Sequence, residues 1–506
     1  MGGAAILPGH EPIPREKILA AYRAGPEAIA SLIQYLQDLH EGALRGLQAE
    51  YDAKLDALSK QVKELQERLH LDSHNSGKPP SSDGMARRAY AKRPKSKRKP
   101  GGQPGHEGVT LKRVQHPDHV VVHRALGRCP CGCSLQKQPV AGYERRQVFD
   151  VPPMHVEVTE HRCEIKCCPA CGRQTVGEFP ADVKRAVQYG PRMRSYVIYL
   201  KDYALLPYQR LRQLVEDLFG VPISAGTLAR IEQECAERLR ETVEHIRIAV
   251  GAAAVGHFDE TGLRVMGKLS WLHSASTTET TYYQVHRRRG TEAMDAIGVL
   301  GHFAGVAVHD GWPSYAGYGE RHGLCNAHHL RELTFLWEEG KQRWAFLLAK
   351  ELRRWKRLVD QAKDQGRDHL AAPTVCKIEW RYKQLVRMGM RANPPPSPPE
   401  LPRRGRKKKG KARSLVDRLW DKQVHVLRFV HDFQVPFDNN VAERDLRMMK
   451  VQQKISGTFR SWEGAEAFVA VRSYLSTIRK RGLNVIEAVA SIFSGDPLLT
   501  AVPQKG

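Results

Sequence analysis

The chain has 506 residues, of which 80 are Lys or Arg and 55 are Asp or Glu, so its formal net charge is +25. An excess of this size, in a chain long enough for about three or four domains, points to a polyanionic partner, and nucleic acid is the first candidate. The longest apolar run covers the nine residues between Arg247 and His257, too short for a membrane span, and no signal peptide is visible at the N-terminus. We therefore expect a soluble, cytoplasmic protein that faces nucleic acid.

A long helix with a heptad pattern is predicted over residues 27–71. Its apolar residues alternate between spacings of four and three, at Tyr51, Leu55, Leu58, Val62, Leu65 and Leu69. This rhythm forms the two rows of a coiled-coil seam with charged flanks. We interpret residues 1–72 as a leucine-zipper-like multimerisation segment. The alternative is an amphipathic helix packed on its own domain.

A basic arm rich in proline and glycine follows, over residues 73–115. Turn formers end the helix, and residues 87–99 hold eight Lys or Arg with no acidic residue. We expect the arm to order on DNA phosphates, where cations displace condensed counterions, rather than to remain a solvated linker. The predicted contact residues are Arg87, Arg88, Lys92, Arg93, Lys97, Arg98 and Lys99.

Seven of the ten cysteines lie within residues 129–171, and such a local cluster predicts a metal site rather than a disulfide scaffold. Knuckles at 129–133 and 168–172 place thiolates at the tips of two hairpins, where four sulfurs satisfy tetrahedral zinc. The first knuckle is irregular, so its second ligand is either Cys131 or Cys133. The prediction is structural zinc on Cys129, Cys131, Cys168 and Cys171, in a β ribbon over residues 116–182 with strands at 147–151 and 155–158.

Residues 183–250 are predicted to be helical, with the outline of a helix-turn-helix. One helix ends at the stop signal Gly220, and Ser224 has the position of an N-cap for the next helix. The same outline is common in helical domains that never touch DNA, so both interpretations stay open.

An α/β domain is predicted from residue 251. The predicted order is strands at 254–265, 269–275 and 280–285, a helix at 291–300, and a fourth strand at 305–310. This order opens a ribonuclease-H-like fold, in which the first and fourth strands lie side by side. Asp259 and Asp310, on those two strands, would then face each other.

A third acid, Glu443, lies near the start of a predicted helix that Asn439 is expected to cap. Three carboxylates can hold two divalent cations such as Mg²⁺ or Mn²⁺, which prefer oxygen ligands. Two acids compete for these roles. Glu260 should point to the opposite face of its strand, and Asp445 lies about 200° around the helix from Glu443.

The 132 residues between Asp310 and Glu443 predict a helical insertion domain over 316–436, with one helix over 342–362. Cys325 and His328, one turn apart, either bind a metal or pack and form hydrogen bonds, and we favour packing.

A proline-rich segment leads into a second basic run at 403–413, with eight Lys or Arg and no acid, which is predicted to follow the DNA backbone unless it is a solvated loop. The predicted DNA contacts in this part of the chain are Arg403, Arg404, Arg406, Lys407 and Lys408, together with Arg444, Arg447 and Lys450 on the helix of Glu443.

Taken together, these motifs resemble transposases of the IS66 insertion-sequence family over nearly the full length of the chain. The resemblance is carried by the two cysteine knuckles and by residues 74–83, 100–106, 257–261, 309–312, 325–328, 439–444, 456–461 and 472–477. In order and spacing the set is highly specific.

The resemblance implies a DDE catalytic triad at Asp259, Asp310 and Glu443, with two Mg²⁺ or Mn²⁺ ions per site. It implies cleavage of double-stranded DNA at the terminal repeats of the element and transfer of the freed 3′-hydroxyl into target DNA. It also implies a homo-oligomer, taken as a dimer, that works on the bacterial nucleoid with or without companion proteins of the element. Two alternatives are a ribonuclease-H-like nuclease that does not join DNA and a non-catalytic, domesticated DNA-binding regulator.

The expected architecture is thus multidomain α/β. Its segments are a zipper helix (1–72), a basic arm (73–115), a zinc ribbon (116–182), a helix-turn-helix-like segment (183–250), the first part of a ribonuclease-H-like core (251–315), a helical insertion (316–436) and the C-terminal helices of the core (437–506).

Overall fold

The computed structural model describes residues 14–69, 111–151, 154–395, 410–495 and 497–498 of a mixed α/β chain. The described chain divides into two compact units. The first comprises the described residues of 1–85, 328–353 and 380–418. The second comprises those of 86–327, 354–379 and 419–506. Within the described ranges, every helix is too short or too polar to cross a membrane.

The N-terminal region is helical, as predicted. Helix α1 spans Arg15–Ala24 and α2 spans Pro26–Leu69. The apolar seam of α2 faces solvent, because the exposed fractions of Tyr51, Leu55, Leu58, Val62 and Leu65 lie between 51% and 60%. An exposed apolar row of this length is the surface that a coiled-coil partner would cover.

The cysteine region contains one short hairpin, with β1 at Ile165–Cys167 paired antiparallel to β2 at Gln174–Val176. The predicted strands at 147–151 and 155–158 are wrong, since the described residues there form no ladder. Within the described residues, two of their alternating apolar side chains are almost uncovered: Val148 is 91% exposed and Val158 is 90% exposed. Alternation alone does not make a strand when no neighbouring strand takes up its hydrogen bonds.

Four helices follow, at Pro191–Ile198 (α3), Tyr208–Phe219 (α4), Ala225–Arg238 (α5) and Arg240–Gly251 (α6). The predicted turn chemistry is confirmed. Gly220 ends α4 in the left-handed region at φ 67°, and Ser224 Oγ accepts a hydrogen bond from the Thr227 amide at 3.0 Å.

A five-stranded sheet forms the centre of the second unit, with strands Val255–Val265 (β3), Lys268–Ser276 (β4), Thr281–His286 (β5), Val306–His309 (β6) and His322–Leu324 (β7). Helix α7, at Thr291–Ile297, connects β5 to β6. The strand order is β5-β4-β3-β6-β7, in which β3, β4 and β5 pair antiparallel while β6 is parallel to both β3 and β7. The four predicted strands are confirmed, and β7 is an addition.

The rest of the described chain is helical. The helices are Asn326–Glu338 (α8), Arg343–Asp364 (α9), Ala372–Ala392 (α10), Lys411–Asp421 (α11), Gln423–Val426 (α12), Arg428–His431 (α13), Asn440–Ser456 (α14), Trp462–Lys480 (α15) and Val485–Ser494 (α16).

Helices α14 and α15 pack on the sheet, because Leu446 and Phe468 share a buried apolar cluster with Leu263, Leu272 and Tyr283. Each fully buried side chain of this kind contributes about 1.5–3 kcal/mol to stability. The apolar face of α14 therefore fixes this helix, and with it Glu443, against β3 and β4.

Candidate active site

The two predicted aspartates lie at neighbouring positions of the sheet. Strands β3 and β6 are parallel neighbours, and His257 is opposite Val308 in their register. Two residues further along, the same register places Asp259 opposite Asp310, just beyond the end of β6. Because neighbouring strands lie about 4.8 Å apart, both carboxyl groups belong to one edge of the sheet. The predicted adjacency of the first and fourth strands is confirmed.

The third acid, Glu443, interacts electrostatically with Asp259. Burial raises the pKa of Asp259 well above its usual value, and the negative charges of Glu260, Asp310 and Glu443 raise it further. Glu443 on α14 is therefore close enough to interact with a side chain of β3. Among the described residues, no Lys or Arg forms an ion pair with Asp259 or Asp310. Asp259 accepts a hydrogen bond from its neighbour's amide at 2.9 Å, and Asp310 accepts one from the Trp312 amide at 2.8 Å.

This donor set fits Mg²⁺ or Mn²⁺, since it is rich in carboxylate oxygens and its negative charge lacks a protein counter-ion at two of the three acids. In the described part of the chain, the oxygens of Asp259, Asp310 and Glu443 do not all lie within 4.8 Å of one another. A two-ion site does not require that, because the ions lie about 3.5–4 Å apart and the outer carboxylates bind different ions.

The competing acid Glu260 serves the other face of the strand. It is buried, and Arg289 Nη2 lies 2.6 Å from its Oε1 while the Tyr315 hydroxyl donates to its Oε2 at 2.5 Å. The Arg289 guanidinium also stacks over Trp271 and Trp312, at 4.9 Å and 4.1 Å from their ring centroids. Glu260 therefore anchors the loop after β5 and the segment that follows Asp310.

The other competitor, Asp445, is a structural anchor. Its Oδ2 accepts hydrogen bonds from Ser276 at 2.7 Å and Thr281 at 3.1 Å, and it pairs with Lys480 Nζ at 2.7 Å. These contacts hold α14 to strands β4 and β5 and to α15. Asp445 is thus engaged on the opposite side of α14 from Glu443.

Asn439 does not cap helix α14, although it stands at the N-cap position. It precedes the first residue of α14, but its side chain makes no capping hydrogen bond, so the predicted cap is wrong. It binds β3 instead, at His257 and Phe258. The hydrogen bonds to His257 and Phe258 are favoured because they satisfy buried polar groups. At the start of α14, the Asp438 carboxylate instead accepts a hydrogen bond from the Asn440 amide at 3.2 Å.

Cys325 precedes α8 and is fully buried. Its Sγ accepts a hydrogen bond from the Asn439 amide at 3.2 Å, and it lies within 4.8 Å of a Glu443 carboxylate oxygen. The hydrogen bond is what the packing interpretation predicts, and the short distance to Glu443 is what the metal-binding alternative predicts. Since α8 begins at Asn326, His328 follows one turn later, as expected.

The predicted DNA contacts on α14 differ in exposure. Arg444 and Arg447 are exposed, whereas Lys450 is half-buried and its Nζ donates to the Gly262 carbonyl at 3.3 Å. Burial lowers the pKa of Lys450. The predicted contacts in the two basic runs, Arg87 to Lys99 and Arg403 to Lys408, lie outside the described residues.

Both cysteine knuckles adopt turns that favour thiolates. In the first, the Cys129 amide donates to the Cys133 carbonyl at 2.8 Å, and the pKa of Cys131 is lowered by the Cys133 backbone and by neighbouring thiols. In the second, hydrogen bonds from the Cys171 and Ala170 backbone lower the pKa of Cys168.

The two knuckles are not drawn together in this structure. Among the described residues, no three of these thiols lie within 4.8 Å of one another, whereas four sulfurs on one zinc would be about 3.8 Å apart. The donor set nonetheless fits zinc in type and number. Zinc bound by both knuckles would draw them together, as in small zinc domains whose folding is coupled to the metal.

We predict one zinc ion per chain, lost on replacing Cys168 with serine. Elemental analysis of the purified protein should find about one zinc in the parent and much less in the variant, because a structural zinc site needs all four of its ligands. The exposed Cys376 lies outside the knuckles, so Cys376→Ser should retain the metal. Equal zinc content in the parent and Cys168→Ser would contradict the assignment.

Three family models match the chain. The family described as the IS66 transposase family matches residues 186–467, which include all three candidate acids. The zinc-finger binding domain of IS66 transposases matches residues 127–172, which include both knuckles and support a structural zinc. A family of unknown function (DUF6444) matches residues 20–112. A search of curated proteins gave no match. Because the match to the IS66 transposase family covers more than half of the chain, the chain belongs to that family.

Proposed function

We propose that this chain is a DDE transposase that cuts DNA at the ends of an insertion sequence and joins the freed 3′-hydroxyl to target DNA. The proposal is supported by the β3–β6 pairing, whose register, when continued by two residues, brings Asp259 opposite Asp310, and by the effect of Glu443 on the pKa of Asp259. Strongly perturbed carboxyl groups that converge from distant parts of a chain are typical of catalytic sites.

The core is proposed to be ribonuclease-H-like, with residues 251–315 and 437–506 as its two parts. The order β5-β4-β3-β6-β7 supports this, since three antiparallel strands are followed by two parallel ones and the first strand is central. The other segments keep their expected bounds and roles: zipper 1–72, arm 73–115, zinc ribbon 116–182, helix-turn-helix-like segment 183–250 and insertion 316–436.

In the proposed site, Asp259, Asp310 and Glu443 would together hold the ions. Two Mg²⁺ or Mn²⁺ ions held there would activate the attacking water or 3′-hydroxyl and stabilise the leaving 3′ oxygen. The Trp312 amide orients Asp310, and the apolar packing of α14 orients Glu443. The chain thus supplies preorganised negative charge at one sheet edge, where divalent ions would be held.

Double-stranded DNA is the proposed partner, as terminal repeats and as target. Arg444 and Arg447 are exposed on the helix of Glu443 and can bind phosphates beside the site. The two basic runs add 16 cationic residues for backbone contacts. The protein is expected to act on the bacterial nucleoid, alone or with companion proteins of the element.

The experiment that tests this function pairs the full chain with DNA from the borders of its own genomic locus. With Mg²⁺ or Mn²⁺ present, we expect nicks at the element ends, and we expect pre-cut ends to be joined to a target plasmid. Nicking without joining would identify a ribonuclease-H-like nuclease. Tight end binding with neither nicking nor joining would identify a DNA-binding regulator.

The exposed seam of α2 is proposed to form the dimer. Replacing Leu58 and Leu65, which are each 57% exposed, with aspartate should convert the full chain from a dimer into a monomer of 57.1 kDa, because charges at seam positions cannot be desolvated. Light scattering coupled to size exclusion measures the mass. Aspartate at Ala53 and Ala57, on the outer face of the same helix, is the control and should leave the dimer intact. A parent that is already a monomer would refute the zipper.

A further inference from the structure

The chain segments that carry the three acids are joined by one buried hydrogen-bond network, and Asn439 lies at its centre. Asn439 is 1% exposed. It stands one helical turn before Glu443, whose amide donates to the Asn439 carbonyl at 3.2 Å. Any displacement of Asn439 is therefore passed to the first turn of α14 and to Glu443.

The side chain of Asn439 is committed to strand β3 rather than to its own helix. Its Oδ1 accepts a hydrogen bond from His257 Nδ1 at 2.9 Å, and its Nδ2 donates to the Phe258 carbonyl at 2.8 Å. Phe258 is the residue before Asp259. An asparagine at this position ordinarily caps its helix. The chain forgoes that cap and instead fastens α14 to the main chain beside the first acid.

The state of His257 follows from the same contact. Because an amide oxygen only accepts, the ring proton is assigned to Nδ1. Both polar atoms of the Asn439 amide and the Nδ1 of His257 are thereby satisfied, as a buried network requires.

The main chain of Asn439 extends the network to the second acid. Its amide donates to Cys325 Sγ at 3.2 Å, and the Cys325 amide donates to the His309 carbonyl at 2.9 Å. His309 is the residue before Asp310. Two successive hydrogen bonds thus link the start of α14 to the end of β6. One hydrogen bond links the start of α14 to the backbone next to Asp259.

We infer that Asn439 is a positioning residue that sets where Glu443 stands relative to Asp259 and Asp310. The inference rests on the proposed function and deepens it, because it concerns how the acids are held for shared metal ions. Asn439 touches no reacting atom in this arrangement. It acts through the backbone of the residues that carry the ligands.

The test is Mn²⁺ binding to the zinc-loaded full chain, followed by electron paramagnetic resonance. Removing groups that orient metal ligands costs about 10–100-fold in metal affinity. We therefore expect Asn439→Ala to weaken Mn²⁺ binding by about 10-fold or more while leaving affinity for end DNA within about 2-fold. The control is Asn440→Ala, at the exposed neighbouring position, which should bind Mn²⁺ like the parent.

A second variant removes the contact from the strand side. His257→Phe keeps the ring volume but loses the Nδ1 donor, and it should weaken Mn²⁺ binding in the same direction. Should Asn439→Ala not fold, as judged by circular dichroism, His257→Phe decides the question. Parent-like Mn²⁺ affinity in the folded variant overturns the inference.

Asp259→Asn separates this inference from the proposed function. If Asp259→Asn loses Mn²⁺ binding and the Asn439 and His257 variants do not, the acidic site stands and the positioning role fails. If Asp259→Asn itself binds Mn²⁺ like the parent, the proposed metal site fails, and the positioning role fails with it.

Discussion

Replacing Asp259 with asparagine is expected to lower the rate of DNA cleavage by at least about 10³-fold, because loss of a metal ligand removes several kcal/mol of transition-state stabilisation. Binding of end DNA should be retained, since cationic residues supply most of that affinity. Nicking of labelled border DNA and a gel-shift assay with the same DNA measure the two effects. Glu466→Gln, which neutralises an exposed acid on α15, is the matched control and should cut like the parent.

The same substitution should stabilise the metal-free protein. Burial and three neighbouring acids raise the pKa of Asp259. For a carboxyl with a raised folded-state pKa, the stabilising contribution is present below its ordinary pKa and is lost as the pH rises through the folded value. At neutral pH the Asp259 carboxyl therefore destabilises the folded state, whether it is ionised or has taken up a proton, and asparagine lacks this penalty.

For a relief of about 1 kcal/mol, the melting temperature of Asp259→Asn without metal should exceed that of the parent by roughly 1 °C, given the size of the chain. Mg²⁺ should then stabilise the parent and not the variant. Equal melting temperatures together with equal Mg²⁺ responses would argue against a crowded acidic site, and a variant that cuts DNA as fast as the parent would refute the assignment of Asp259.

Affinity for DNA is expected to fall steeply with salt. If about 6–10 cationic side chains contact phosphates, the binding constant should drop about 10³–10⁵-fold between 50 and 200 mM salt. Replacing the eight Lys and Arg of residues 87–99 with glutamine should reduce the slope of log affinity against log salt. Fluorescence anisotropy with border DNA measures both quantities.

The matched control keeps the charge of the arm. Exchanging every Arg of residues 87–99 for Lys should leave the salt slope as in the parent, because the slope counts phosphates neutralised rather than the geometry of the cation. A glutamine variant with the slope of the parent would show that the arm does not contact DNA.

The parts of the fold that the sequence predicted well carry their signal locally. The strand around Asp259 is an apolar run that ends in a carboxylate, and its repetition before Asp310 is enough to predict two buried strands. Gly220 and Ser224 mark the ends of their helices by short-range turn chemistry, and both act as predicted. Local signals survive in the structure because they do not depend on a distant partner.

The missed features depend on partners far along the chain. The contact between His257 and Asn439 joins residues 182 positions apart, and no feature of the sequence around either residue predicts it. The residues around Val148 were wrongly predicted to form a strand. They have the alternating pattern of a strand, but the described chain contains no neighbouring strand for them to pair with. The network between Arg289, Glu260 and Tyr315 likewise forms only once the sheet has brought three segments together.

The most direct test of the acidic site is a crystal structure of the full chain with end DNA and Mn²⁺, in which anomalous scattering locates the metal. Our account predicts two Mn²⁺ ions about 3.5–4 Å apart, bound by oxygens of Asp259, Asp310 and Glu443. Manganese bound elsewhere, with these carboxyl groups facing apart in the DNA complex, would contradict it.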